Sequence, residues 1–140
     1  MTVGRLAWII GAAILILVVN VSLSIVYMVV YGYLINPGQP ESFYKEHVKI
    51  AAPYCSIVFG IPLFYFICRW IGGKWEKSFS VKAAISVWIV YWVIDLTVIL
   101  ANFRDLTLWL SFLVIISFST KLISAYFGGI AASTKSSRLT

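Results

Sequence analysis

Residues 81–101 read VKAAISVWIVYWVIDLTVILA, a mostly apolar run whose only charged residues are Lys82 near its start and Asp95 inside it. The hydrocarbon core of a bilayer is about 30 Å thick, and a helix rising about 1.5 Å per residue crosses it in roughly 20 residues. A barrel strand would instead alternate in polarity over about 10 residues. Because every backbone group in lipid needs an internal partner, this stretch predicts a transmembrane helix.

Working outward, three more runs have the same character, at about 106–131, about 50–71 and about 6–35. Between the four lie Asn36-Pro37-Gly38-Gln39-Pro40, Gly72-Gly73-Lys74 and Asn102-Phe103-Arg104-Asp105, all polar or rich in turn formers. Connections this short force neighbouring helices to run antiparallel. The expected fold class is therefore all-α: a polytopic membrane protein whose four transmembrane helices form an up-down antiparallel bundle. Residues 1–140 form a single four-span domain, with 132–140 as a short polar cytoplasmic tail. No internal repeat of the kind that marks inverted-topology transporters is visible.

Composition agrees. Of 140 residues, 61% are hydrophobic and 11% charged, with a net charge of +6. Soluble domains carry roughly 25% charged residues, so a water-soluble enzyme, a nucleic-acid-binding domain and a disordered tail are all disfavoured. The first run follows Arg5 as the apolar stretch of a signal peptide follows its basic region. It is about twice the usual 7–15 residue length and lacks a small-residue cleavage site, so it reads as a retained span.

Charge also orients the chain. Arg5, Arg69, Lys74, Lys77, Lys82, Lys135 and Arg138 fall on one side of a four-span layout. Lys45, Lys49 and Arg104 fall on the other, balanced by Glu41, Glu46 and Asp105. The excess predicts both termini in the cytoplasm, in a plasma or inner membrane. Trp8, Trp70 and Trp75 fit an aromatic belt on that side, and Tyr27, Tyr31, Tyr33, Tyr44 and Tyr54 a belt on the outer one.

Two ionisable residues, Asp95 and Lys121, lie inside spans. Each costs about 2.5–3.5 kcal/mol at a helix centre, so each marks a candidate functional site facing the bundle interior. By rise per residue, Asp95 lies roughly 21 Å and Lys121 roughly 15 Å from the cytoplasmic edge, and from the outer turn the offset grows to about 12 Å. Two side chains reaching about 8 Å together make direct pairing marginal. The competing arrangement is a Lys121 that snorkels to the cytoplasmic headgroups.

Helical spacing groups further polar residues. Trp88, Tyr91, Asp95 and Asn102 lie near one face of helix three, and Ser117, Lys121, Ser124 and Gly128 on one face of helix four. Helix one carries Asn20, Ser24, Tyr27 and Tyr31, and helix two carries Ala52, Ser56 and Gly60. A polar layer of Asn20, Ser56, Tyr91, Asp95, Ser117 and Lys121 follows. Functionally it is a protonatable or ion-binding centre at Asp95. Structurally it is a set of interhelical hydrogen bonds, with Ala52/Ser56/Gly60 as a small-residue packing stripe.

In the outer connection, Pro37-Gly38 and Pro40 predict turns and Ser42 a helix N-cap. From Phe43 the pattern is amphipathic: Phe43, His47, Ile50 and Tyr54 share one face, and Ser42, Lys45, Glu46 and Lys49 the other. This predicts a short interfacial helix before helix two, stapled by Glu41 and Lys45. Pro53 and Pro62 then set bends in helix two. The outer-face candidate is His47, the only histidine, which reads more naturally as a packing residue than as a ligand. Asn102, Arg104 and Asp105 read as a charged turn with some capacity for an anionic headgroup.

Cys55 and Cys68, 13 positions apart on one helix, stand roughly 20 Å from each other and cannot form a disulfide. No catalytic signature is present, and no catalytic residue, cofactor or metal site is expected. The expected function is that of a small, non-enzymatic accessory or oligomerising helix-packing protein. The alternative is a small oligomeric secondary transporter or channel using Asp95 with Lys121. Expected partners are the lipid bilayer and a homo-oligomer or larger membrane complex, with no nucleic acid.

Overall fold

The computed structural model describes residues 2–102 and 107–135. It is all-helical, with α1 at Val3–Val30, α2 at Glu41–Gly72, α3 at Lys77–Asn102 and α4 at Leu108–Lys135. All four are long and apolar enough to cross a membrane, which makes the chain a membrane protein in character. The Phe103–Asp105 part of the expected charged turn, and the tail beyond Lys135, lie outside the described residues.

α1 does not stop at Val30. It widens into a π-helical turn, Tyr31–Ile35, closed by Asn36 N–H donating to Tyr31 O at 2.8 Å. The chain then turns at Gly38, whose φ of 80° lies in the region that glycine enters without steric cost. Tyr44 ties this connection together: its hydroxyl donates to Asn36 O (2.8 Å) and accepts from Gln39 N–H (3.2 Å).

Two local expectations change here. The amphipathic stretch around His47 is not a separate short helix but the opening turns of α2, which continue through Pro53 and Pro62 to Gly72. The N-cap position is Pro40, with no side-chain cap bond, and Ser42 already lies inside the helix. Glu41 occupies the first helical position, where its charge suits the helix dipole, and it pairs with Lys45 at 2.7 Å. At the other end, Ser80 Oγ donates to Gly72 O at 2.8 Å, joining the start of α3 to the end of α2. α4 starts behind Thr107, whose hydroxyl accepts from Leu110 N–H at 3.4 Å.

Packing is closest between α2 and α4, then between α3 and α4. α1 packs on α2 and α3 and does not pack closely on α4. Glycines set the α2–α4 approach. A Cβ at Gly128 would stand 2.6 Å from Tyr65 O, and one at Gly72 2.9 Å from Ala132 Cβ. The core joins Ile9, Ala13 and Ile16 of α1 to Phe64, Cys68 and Ile71 of α2, with Ala84, Val87 and Tyr91 of α3 and Ala125 of α4. Large apolar side chains such as Val18, Phe66, Val93, Ile115 and Phe127 face outward, as a lipid-bathed surface requires and a water-bathed one penalises.

Candidate functional site

Each helix sends one or two polar side chains to a common level. Lys121 of α4 is fully buried. Its Nζ donates to Ser56 Oγ on α2 at 2.7 Å and to the Tyr91 hydroxyl on α3 at 3.0 Å. It lies 3.9 Å from Asp95 Oδ2. Asn20 of α1 completes the group, its Nδ2 donating to Ser56 Oγ at 3.1 Å and to the Tyr91 hydroxyl at 3.4 Å.

Neighbouring packing fixes these positions. Phe64 meets the Tyr91 ring edge-on at a centroid distance of 4.9 Å. Trp88 Nε1 donates to Phe118 O at 3.1 Å, pinning α3 to α4 one turn away. Ser124 Oγ donates to Ile61 O, beside Pro62. Gly60 provides the slot for the lysine, since a Cβ there would stand 2.6 Å from Lys121 Cε.

Asp95 and Lys121 therefore pair, and Lys121 does not snorkel. Side chains on a helix lean toward its N-terminus. That lean carries Asp95 toward Trp92 and Lys121 toward Phe118, and those two rings are 6.0 Å apart. The two functional groups thus close on one spot, and the axial offset estimated from Cα depth shrinks.

The two partners differ in access. Asp95 lines a cavity of about 900 Å³ and keeps 18% of its side chain exposed, whereas that of Lys121 has none. The cavity lies where α1 and α4 fail to close on each other, between Val21 and Ile25 on one side and Leu110, Leu113 and Val114 on the other. It extends to the connection at Pro37–Gln39, with Asn20, Ser56, Tyr91 and Ser117 in its polar wall. All six residues of the expected polar layer thus gather in one place. One acceptor there, Asn20 Oδ1, is buried with no hydrogen-bond partner among the described residues.

Sequence reasoning missed two participants. Gly60 looked like a packing residue, and its place one turn after Ser56 was the available signal. The cavity had no signal, because it depends on how far apart α1 and α4 stand.

His47 lies elsewhere. Its ring stacks on Tyr31 at 3.8 Å between centroids, and its Nε2 is 3.4 Å from the Tyr27 hydroxyl. This joins α2 to the end of α1, in keeping with a packing role. Cys55 and Cys68 are free thiols, and no cluster of three metal-binding side chains occurs among the described residues.

Chemically, the pair brings two opposite charges into the apolar interior with little net charge, which removes much of the penalty for either one alone. A group entering the cavity meets the carboxylate, with the ammonium sealed behind it. Comparisons with protein-family models, curated proteins and solved structures find no match.

Proposed function

We propose that the protein is a small, non-enzymatic secondary transporter or channel in which Asp95 and Lys121 form the coupling site. One observation carries this reading: an intramembrane carboxylate stands at the wall of a cavity while its counter-charge is sealed behind it. Such a carboxylate can exchange its bond to lysine for a proton or a solute. A structural ion pair has no need of a cavity. Four helices scarcely enclose a complete path, so the working form is a homo-oligomer.

The wider layout supports this reading. Trp8 lies beside Trp70, and Tyr27 beside His47, as expected if α1 and α2 run in opposite senses. Gly129 beside Val81 and Lys121 beside Tyr91 give the same relation for α3 and α4. We therefore read an up-down bundle in a plasma or inner membrane. The basic residues Arg5, Arg69, Lys74, Lys77 and Lys82 support a reading with both termini in the cytoplasm and the first turns of α2 at the outer interface.

The test is proton flux. Proteoliposomes loaded with a pH-sensitive dye should dissipate an imposed pH gradient faster than protein-free vesicles, and Asp95→Asn should return the rate to the protein-free level. Rates equal to protein-free vesicles for the wild type, or unchanged in the folded variant, would defeat the proposal.

The accessory, helix-packing reading keeps one observation in its favour. Gly4, Ala7 and Gly11 line a shallow groove on α1 beside Trp8 and Trp70, with open space above both glycines. A partner helix could approach closely there. A fixed-ratio partner retained through gentle solubilisation would support this reading, and a homogeneous homo-oligomer would oppose it.

A further inference from the structure

We infer that the cavity takes an organic ammonium: an apolar body bearing a primary amine that donates N–H bonds to Asp95. The inference rests on reading Asp95 as a binding group rather than a strut, and it adds the chemistry of the ligand.

The balance of donors and acceptors sets the class. Both N–H donors of Asn20 are used, one on Ser56 and one on Tyr91. Lys121 spends its short bonds on the same two hydroxyls. What remains is acceptor capacity. Asp95 accepts from the Tyr91 hydroxyl and stands 3.9 Å from its nearest cation, beyond hydrogen-bond length, so an ionised carboxylate with about four lone-pair sites keeps unused acceptor positions. Asn20, a residue of the same polar wall, holds a buried Oδ1 with no partner among the described residues. A ligand that donates relieves this surplus, and one that only accepts adds to it.

Shape and lining fix the rest of the molecule. A volume of about 900 Å³ lies within the usual range for small-molecule sites, roughly 300–1,000 Å³. Most of the lining is apolar, including Val21, Ile25, Leu113 and Val114. Tyr27, Tyr33 and Tyr44 add aromatic rings toward the connection end, where a passing cation is attracted to ring faces. An anion would meet the like charge of the Asp95 carboxylate in the cavity wall. A small inorganic cation would leave the apolar volume unfilled.

The test uses ligands of one shape and different charge. Phenylbutylamine, phenylbutanol and phenylbutyrate are titrated against the full chain in lipid nanodiscs, with saturation-transfer NMR as the readout and empty nanodiscs subtracted. The amine should bind saturably, one per chain. The alcohol should bind at least about tenfold more weakly, as expected on losing a charge-assisted hydrogen bond, and the carboxylate should show no saturable binding. The N,N,N-trimethyl derivative, which has no N–H, should also bind more weakly than the amine. Asp95→Asn should abolish the preference for the amine. Ser24 also lines the cavity, its hydroxyl donating to Asn20 O, so Ser24→Trp, which takes up cavity space without altering either charge, should weaken amine binding even if Asp95→Asn does not fold. Equal binding across the charge series, preference for the carboxylate, or undiminished amine binding in Ser24→Trp would overturn the inference. Proton flux through wild-type vesicles is read independently, so the ligand class can fail while the coupling site stands, and the reverse.

Discussion

Gly60 and Lys121 are fitted to each other: the space that a side chain at 60 would need is taken by the lysine's methylenes, 2.6 Å from where a Cβ would sit. The glycine thereby lets a long cationic side chain lie flat between α2 and α4 and reach Ser56, Tyr91 and Asp95. Gly60→Ala should push the ammonium off its partners and destabilise the fold by about 1–3 kcal/mol, the usual cost of overpacking. A thermal melt in detergent checks this. An unchanged melting temperature would show that the slot has slack.

The ion pair should reveal itself as a coupling. Removing one partner of a buried pair costs about 3–5 kcal/mol, because the other is left uncompensated, whereas replacing both with neutral groups is far milder. Asp95→Asn and Lys121→Met should each lower stability, and the double variant should recover part of the loss. Strict additivity in that cycle would mean that the 3.9 Å contact carries no interaction energy.

A glycine on an open helix face and one in a packed interface should behave oppositely. Nothing lies within 4 Å of a Cβ at Gly11, while one at Gly128 would stand 2.6 Å from Tyr65 O. Gly11→Ala should be neutral or stabilising by up to about 1 kcal/mol, the propensity difference of the two residues in a helix. Gly128→Ala should separate α4 from α2 and lower the melting temperature.

Thiol labelling should map the cavity. Cys55 lines it, whereas Cys68 is fully buried against Ala84, its Sγ 3.9 Å from Ala84 O. A small cationic methanethiosulfonate added to intact vesicles should modify Cys55 and leave Cys68 unmodified, as read by mass spectrometry. Modification of both at similar rates would mean that the α2–α3 contact opens readily.

How much of this was legible beforehand depends on the kind of pattern. The runs flanking Asp95 and Lys121 announce helices because an apolar stretch of that length has few other folds in lipid. The polar layer was legible too, since three- and four-residue steps place Asn20, Ser56, Tyr91 and Lys121 on inward faces. Pairing looked marginal because depth was counted along Cα positions, which ignores the lean of each side chain toward its helix's N-terminus. Ser42 misled in another way. Its type suits an N-cap, but Pro40 and Glu41 already supply an extended residue and a favourable first turn. The continuity of α2 through Pro53 was hidden because the amphipathic opening and the apolar continuation look like two segments by composition alone. The gap between α1 and α4 has no one-dimensional trace.

The joining of Asp95 to Lys121 also bears on how the chain is made. The two residues sit on consecutive helices, so during synthesis the carboxylate of α3 emerges first and the ammonium of α4 follows shortly after. Each would burden its own helix by about 2.5–3.5 kcal/mol if inserted alone. Inserted together as a hairpin, they would offset each other's charge, and the bond from Lys121 to Ser56 would follow when the hairpin docks on α2. An α3–α4 hairpin inserted in this way would carry its own counter-ion into the membrane.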